Sequence, residues 1–309
     1  MTHVLTRREA IAAGVGLAFT ADAAAGFKPE NIDTHIHLYD PTRPGGVPWP
    51  GKDDKVLYKP VLPADFKKVC GKITGAIIVE ASPRVEDNQW LLDLIKGDKF
   101  FDGVVGRLLP DDEDFATHLA RFAKNPLFRG IRWNANEVAG AFKAEAQMDR
   151  IKALADAGLT LDVNGGPEVL ALAAKLADTL PKLRIVINHM GNVPIDGKDP
   201  PAEWLKGLKA AGGRDNVWCK MSGHVDGTGK RGGKAPADLA FYKPVFDAVW
   251  DAFGTTKLLF GSNWPVSDHY APFGTVFNLV EAYLKTKGID PQIKVLGDNP
   301  TVAYRLDRK

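Results

Sequence analysis

Two histidines, His35 and His37, stand two residues apart in the segment NIDTHIH, residues 31 to 37. In an extended strand, side chains two apart point to one face, so both imidazoles could share one metal ion or one substrate atom. Asp33 falls on that face as well. Neutral imidazole ligates zinc or manganese and moves protons near neutral pH, so the pair suits hydrolysis or proton transfer. The His-X-His spacing alone is a weak signal; what gives it weight is its place at the end of an apolar run. Other polar side chains end similar runs: Glu80, Arg107, Arg132, Asp162 and Asn164, His189, Lys220 and Asn263. Such groups are costly in a sheet that is only structural, and useful in one that carries an active site.

Competing templates are absent from the sequence. It contains no G-x-S-x-G elbow, no G-x-x-x-x-G-K-[ST] phosphate loop and no H-E-x-x-H helix, which disfavours a serine hydrolase or a P-loop enzyme. Forty Lys and Arg against 38 Asp and Glu leave a net charge of +2, too even for nucleic acid to be the main partner. Cys70 and Cys219 have no C-x-x-C spacing and predict no disulfide framework. His118, in the helical stretch DFATHLARF, and His269, in SDHY, do not join the histidine pair on sequence grounds.

The elements that must position these residues repeat along the chain. Eight β-rich runs are expected at residues 31 to 37, 75 to 81, 101 to 108, 128 to 133, 159 to 165, 184 to 191, 217 to 223 and 258 to 264. Helical patterns lie between them, as in NQWLLDLI, EVLALAAKLADTL and FYKPVFDAVWDAF. Eight alternations predict an α/β protein, a single-domain (β/α)₈ TIM barrel over residues 27–309, whose chemistry sits at the C-terminal strand ends. Two connections are long. Residues 38 to 63, rich in Pro and Gly and carrying Trp49, are expected to lie over the mouth; residues 222 to 237 carry His224, Lys230, Arg231 and Lys234 and look mobile. A basic loop at the mouth would suit an anionic small molecule.

Residues 1–26 read differently. Arg7 and Arg8, a short apolar run and small residues at A-x-A spacing resemble a twin-arginine export signal, which predicts a periplasmic or otherwise exported protein. The run from Ile11 to Thr20 is too short for a stable membrane anchor.

Four motifs taken together, D-T-H-I-H in run one, I-N-H-M-G in run six, C-K-M-S-G in run seven and F-G-S-N-W-P in run eight, resemble the amidohydrolase superfamily. Within it the chain is similar to the amidohydrolase-related (amidohydrolase 2) group, which includes sugar lactonases and 2-pyrone-4,6-dicarboxylate lactonase. The likeness runs from about Asn31 to the L-G-D-N-P-T-V-A-Y-R-L segment ending at Leu306. It implies that His35, His37 and His189 form the inner shell, holding one divalent ion such as zinc or manganese in some members and the substrate carbonyl directly in others. It implies that Arg132 grasps an acidic substrate group, and that an aspartate usually stands where this chain has Asn263. An amide cannot accept a proton near neutral pH. Glu80 is the candidate for a relocated carboxylate, with pairing to Arg132 as its alternative. His224, Trp49 and Trp264 are candidate substrate contacts.

The expected activity is hydrolysis of a cyclic ester, a sugar lactone or a carboxylated lactone, by activated water. A decarboxylase with the same histidine shell is the nearer alternative, and a non-catalytic sugar-acid binding protein, credible because of Asn263, the further one.

Overall fold

The computed structural model describes residues 30–308, so the export signal expected over residues 1–26 lies outside the described residues. Eight parallel strands form one sheet in sequence order: β1 Ile32–Ile36, β2 Gly75–Val79, β3 Phe101–Gly106, β4 Phe128–Asn134, β5 Thr160–Asn164, β6 Arg184–Ile187, β7 Val217–Met221 and β8 Leu258–Phe260. The sheet closes where Asn263 N–H donates to the His35 carbonyl and His37 N–H to that of Trp264, each at 2.8 Å. Each residue of β1, β2, β3 and β7 is buried, as expected of parallel strands covered on both faces.

The outer helices are the expected ones. The patterns after strands two, five and seven fold as α2 Val85–Leu94, α6 Glu168–Thr179 and α8 Leu239–Phe253; α1 Pro63–Val69, α3 Phe115–Phe122, α4 Ala135–Ala141, α5 Glu145–Asp156, α7 Ala202–Gly212, α9 Phe273–Lys287 and the short α10 Ile289–Ile293 complete the ring. Their apolar faces pack on the sheet through one large cluster that includes Trp133, Trp204, Tyr242 and Phe246. Inside the barrel a second cluster joins Ile32, Ile77, Val79, Val105, Val186 and Leu259 to Ala303, Tyr304 and Leu306. A last helix, α11 Asn299–Tyr304, together with Leu306 just beyond it, thus supplies the residues that close the barrel's lower end. Among the described residues no helix is long and apolar enough to cross a membrane, and Cys70 and Cys219 are both free and buried.

Most strands end one or two residues before their expected ends, and two, β6 and β8, stop four residues short. β6 ends at Ile187, where His189 and Met190 take φ of 53°, and β8 ends at Phe260, with Asn263 at φ 60°. Left-handed backbone is unfavourable for residues with a side chain, and alternation of apolar residues carries no sign of it. Here it turns two polar side chains into the barrel mouth. Gly223, at φ 63°, follows β7 because a Cβ there would lie 2.8 Å from that of His189.

The connection after β1 is built as a lid. Tyr39 and Val61 form an antiparallel bridge across it, and the Tyr39 hydroxyl donates to the Leu57 carbonyl at 2.9 Å. The connection after β7 is tied down too: Gly232 N–H donates to the His269 carbonyl at 2.7 Å and Ala235 N–H to that of Tyr270 at 3.1 Å.

Candidate active site

At the barrel mouth the two histidines of β1 and the one after β6 meet. The His35 ring lies 5.0 Å from His37 and 4.4 Å from His189, centre to centre. All three are buried, and burial pulls each well below the ordinary imidazole pKa, His37 down to about 3, with Arg132 adding to the effect there and Lys220 at His35 and His189. They are neutral at physiological pH.

Their neighbours fix which nitrogen carries each proton. The Val79 carbonyl lies 2.9 Å from His37 Nδ1 and can only accept, so the proton of His37 is on Nδ1 and the lone pair on Nε2. His35 is the reverse case. Its Nδ1 lies 3.3 Å from Lys220 Nζ, and Lys220 donates to Asp162 Oδ2 at 2.6 Å. Asp162 also accepts from the Tyr304 hydroxyl, at 3.0 and 3.1 Å, and with the Lys220 contact this favours the pair as carboxylate and ammonium. An ammonium has no lone pair to offer, so His35 accepts at Nδ1 and carries its proton on Nε2. That Nε2 is buried and has no partner among the described residues. A donor and an acceptor therefore stand side by side. His189 N–H donates to Ser222 Oγ at 3.2 Å, and the same hydroxyl lies 2.9 Å from its Nδ1.

Lys220 and Asp162 end no run at the mouth; they lie beneath it, wholly buried. Burial alone raises Asp162 and lowers Lys220, and their contact opposes both shifts. Asp33, expected on the histidine face, instead accepts from His35 N–H at 3.0 Å and Ser262 N–H at 2.9 Å, joining β1 to β8, and burial pushes it up to about 6.

A cavity of about 370 Å³ opens beside His37, lined by Trp49, Glu80, Arg107, Arg132, Asn134 and Asn164 among others. Trp49 stands edge-on to His37 at 5.9 Å. Arg132 donates through Nε to Glu80 Oε1 and through Nη2 to the Glu80 carbonyl, both at 2.9 Å. Arg107 pairs with Glu137, Nη1 to Oε2 at 2.9 Å. Glu80 is thus held by Arg132 rather than standing free as a base, and the guanidinium expected to grasp an acidic group is already matched.

Three expected residues are placed elsewhere or act differently. His224 is turned into the core, donating from Nε2 to the Val276 carbonyl at 3.2 Å and packed edge-on against Tyr242 and Phe246; burial lowers it to about 4. Trp264 packs on Phe66 at 5.3 Å and does not line the cavity. Asn263 is buried beside His37 and, like His35 and His189, is not among the cavity-lining residues; its Oδ1 lies 3.3 Å from His37 Nε2 and its Nδ2 donates to Asp226 Oδ1 at 2.9 Å. The sequence does not mark Asp226, which lies in a Gly-rich loop with no periodicity. Burial pushes it up to about 6.

A metal ion would need the three histidines to converge on one point. Among the described residues, the group of three potential ligands whose atoms all lie within 4.8 Å of one another is Asp112, Asp114 and His118, on the surface before and within α3. His35, His37 and His189 are more widely spread than that. The Lys220 ammonium on His35 also opposes a second positive charge and places a proton on the nitrogen that would have to ligate. As arranged, these residues do not fit a resident divalent ion.

The Amidohydrolase family model matches residues 32–306. The chain belongs to the amidohydrolase family. It is 30% identical over 285 residues to an L-fucono-1,5-lactonase of Burkholderia ambifaria, covering 90% of this chain and 96% of that one. A crystal structure of an amidohydrolase from Burkholderia multivorans with bound zinc superposes with a TM-score of 0.79 at 24% identity, over 90% of this chain and 99% of the other. A probable 2-pyrone-4,6-dicarboxylic acid hydrolase from Acinetobacter baumannii, with citric acid bound, gives 0.69 at 18% identity, over 90% and 100%. At these identities the two structures establish the shared barrel.

Proposed function

We propose that the chain opens a neutral sugar lactone by attack of water at the His35–His37 mouth. The observation that carries this is the opposed protonation of the two imidazoles. His37 Nε2 accepts from the attacking water, while the Nε2–H of His35 donates to the carbonyl oxygen as it becomes an oxyanion. The low proton affinity of His37 favours passing the proton on to the ring oxygen as the C–O bond breaks, which leaves a hydroxy acid. A lactonase relative at 30% identity over most of both chains supports the reaction class.

The charge balance of the cavity supports a neutral ring over a carboxylated one. Both lining guanidiniums are matched by carboxylates, and Lys230, Arg231 and Lys234 do not line the cavity. An entering carboxylate would have to displace Glu80 or stand unpaired. A sugar lactone needs hydrogen bonds instead, and Glu80, Asn134 and Asn164 supply them. No step is assigned to zinc or manganese. The ordered charged, apolar and small-residue segments of residues 1–26 support export by the twin-arginine route.

The test is proton release from a panel of neutral sugar lactones and carboxylated lactones, comparing the protein with its His35→Ala variant before and after dialysis against a chelator. Release from the neutral members that needs His35 and survives chelation is expected. Carbon dioxide release instead would point to a decarboxylase, and ligand binding without product to a binding protein.

A further inference from the structure

Asn263 stands where family members usually carry an aspartate, and its surroundings show what holds it. Its backbone is left-handed, so the side chain is aimed between His37 and the turn Asp226–Thr228 that follows β7. That turn is fixed: Gly227 N–H donates to the Gly223 carbonyl at 2.8 Å, Ile195 N–H to the Gly227 carbonyl at 2.9 Å, and the Thr228 hydroxyl to the Val225 carbonyl at 2.7 Å. Asp226 Oδ1 accepts from Asn263 Nδ2, and its other oxygen is buried with no partner among the described residues. A carboxylate can only accept, so the amide nitrogen must face Asp226 and the amide oxygen must face His37. Flipping the amide would set two oxygens against each other beside a buried charge.

The amide oxygen then lies 3.3 Å from His37 Nε2, the nitrogen left without a proton by the Val79 contact. Two acceptors cannot bond to each other. They present a paired accepting edge to whatever donor enters, either a water molecule or a hydroxyl of the sugar ring.

We propose that Asp226 is a positioning residue: it locks the Asn263 amide with its oxygen toward His37, so that a carboxylate on the β7 loop and an amide after β8 share the task usual for one aspartate after β8. The negative charge is kept at the mouth but moved back by one side chain. Glu80, engaged by Arg132, is not needed for it.

This rests on the lactone-hydrolase reading, and the experiment separates the two. Asp226→Asn, Asn263→Asp and the exchange carrying both are compared by kcat and KM on the lactone that the parent hydrolyses, and by melting temperature. Asp226→Asn should lower kcat about 10- to 100-fold with KM changed less than about threefold, because the amide is free to turn while the cavity is untouched. Asn263→Asp alone brings two carboxylates together and should lower both kcat and the melting temperature. The exchange variant should recover the melting temperature to within about 2 °C and kcat to within about fivefold of the parent. It also carries the test if either single variant fails to fold.

An Asp226→Asn variant with full kcat, an Asn263→Asp variant as active as the parent, or an exchange no better than the worse single variant overturns the proposal. A parent that opens no lactone overturns the functional reading and the catalytic part of the proposal together. The melting temperatures still decide the pairing on their own: additive losses in the exchange variant would overturn it.

Discussion

Two groups of charges flank the histidines, one below and one beside them. Below, Lys220, Asp162 and Tyr304 are closed off from solvent, and each polar contact they make is with another buried group. Beside, the Glu80–Arg132 and Arg107–Glu137 pairs border the cavity and remain partly open to water. The same ionic chemistry serves different ends. In the dry group an ammonium cannot escape its neighbours, so it dictates a tautomer; in the wet group charges are matched so that the cavity presents hydrogen-bonding edges without net charge. Removing one member should therefore cost stability and turnover below, and change selectivity beside.

The largest effect is expected below. Lys220→Met leaves the Asp162 carboxylate buried without its counterion, which costs about 3–5 kcal/mol by the usual penalty for breaking a buried pair. It also frees His35 to move its proton to Nδ1, removing the donor from the mouth, so kcat should fall by about 100-fold or more. Denaturant unfolding and turnover of the folded fraction check the two halves separately. A Lys220→Met protein of normal stability and turnover would erase the distinction between the groups.

Beside the cavity, Glu80→Gln should cost only about 1 kcal/mol, since its partner stays within reach of water and keeps its bond to the Glu80 carbonyl. Its effect should be on selectivity. Arg132 gains a free charge, and KM for a carboxylated lactone should fall about 10-fold while that for a neutral sugar lactone changes less than about threefold. Equal changes for both classes would mean that the pair is not what keeps the cavity neutral.

Much of this arrangement was legible in the sequence. The eight runs, the helices between them and the His35–His37 face follow from periodicity, because repeated apolar patterns specify buried strands and helix faces. His189 and Asn263 were found as polar residues near run ends, although the left-handed turns that aim them were not. Asp226 was invisible, since a carboxylate among Gly and Thr in a loop looks like any exposed turn residue. The opposite error fell on His224. A histidine just past a strand end suggests the mouth, but the chain after β7 folds back at Gly223 and carries it between Tyr242 and Phe246. Lys220 reads in the sequence as a polar side chain at a strand end facing the mouth, but its depth depends on barrel closure and on Tyr304 rising from the far end of the chain, a contact across 142 positions for Asp162.

His224 sharpens the comparison as a buried titratable group with no ionic partner among the described residues. Its folded-state pKa, about 4, lies below the ordinary 6.5, so the unfolded chain binds a proton that the native protein refuses. Stability from this residue is therefore unaffected above pH 6.5 and is lost as pH falls from 6.5 to about 4, by up to about 3 kcal/mol at 1.36 kcal/mol per pH unit. Replacing it with phenylalanine removes that loss. It also removes the bond to the Val276 carbonyl, a cost of about 1 kcal/mol that is independent of pH and softened because Val276 lies within α9 and keeps its helical partner. The His224→Phe protein should melt slightly below the parent at pH 7.5 and above it at pH 4.5, so the two curves of melting temperature against pH should cross between. Parallel curves would mean that His224 takes up its proton in the native protein over the same pH range as in the unfolded chain, and that this pocket is wetter than the dry group beneath His35.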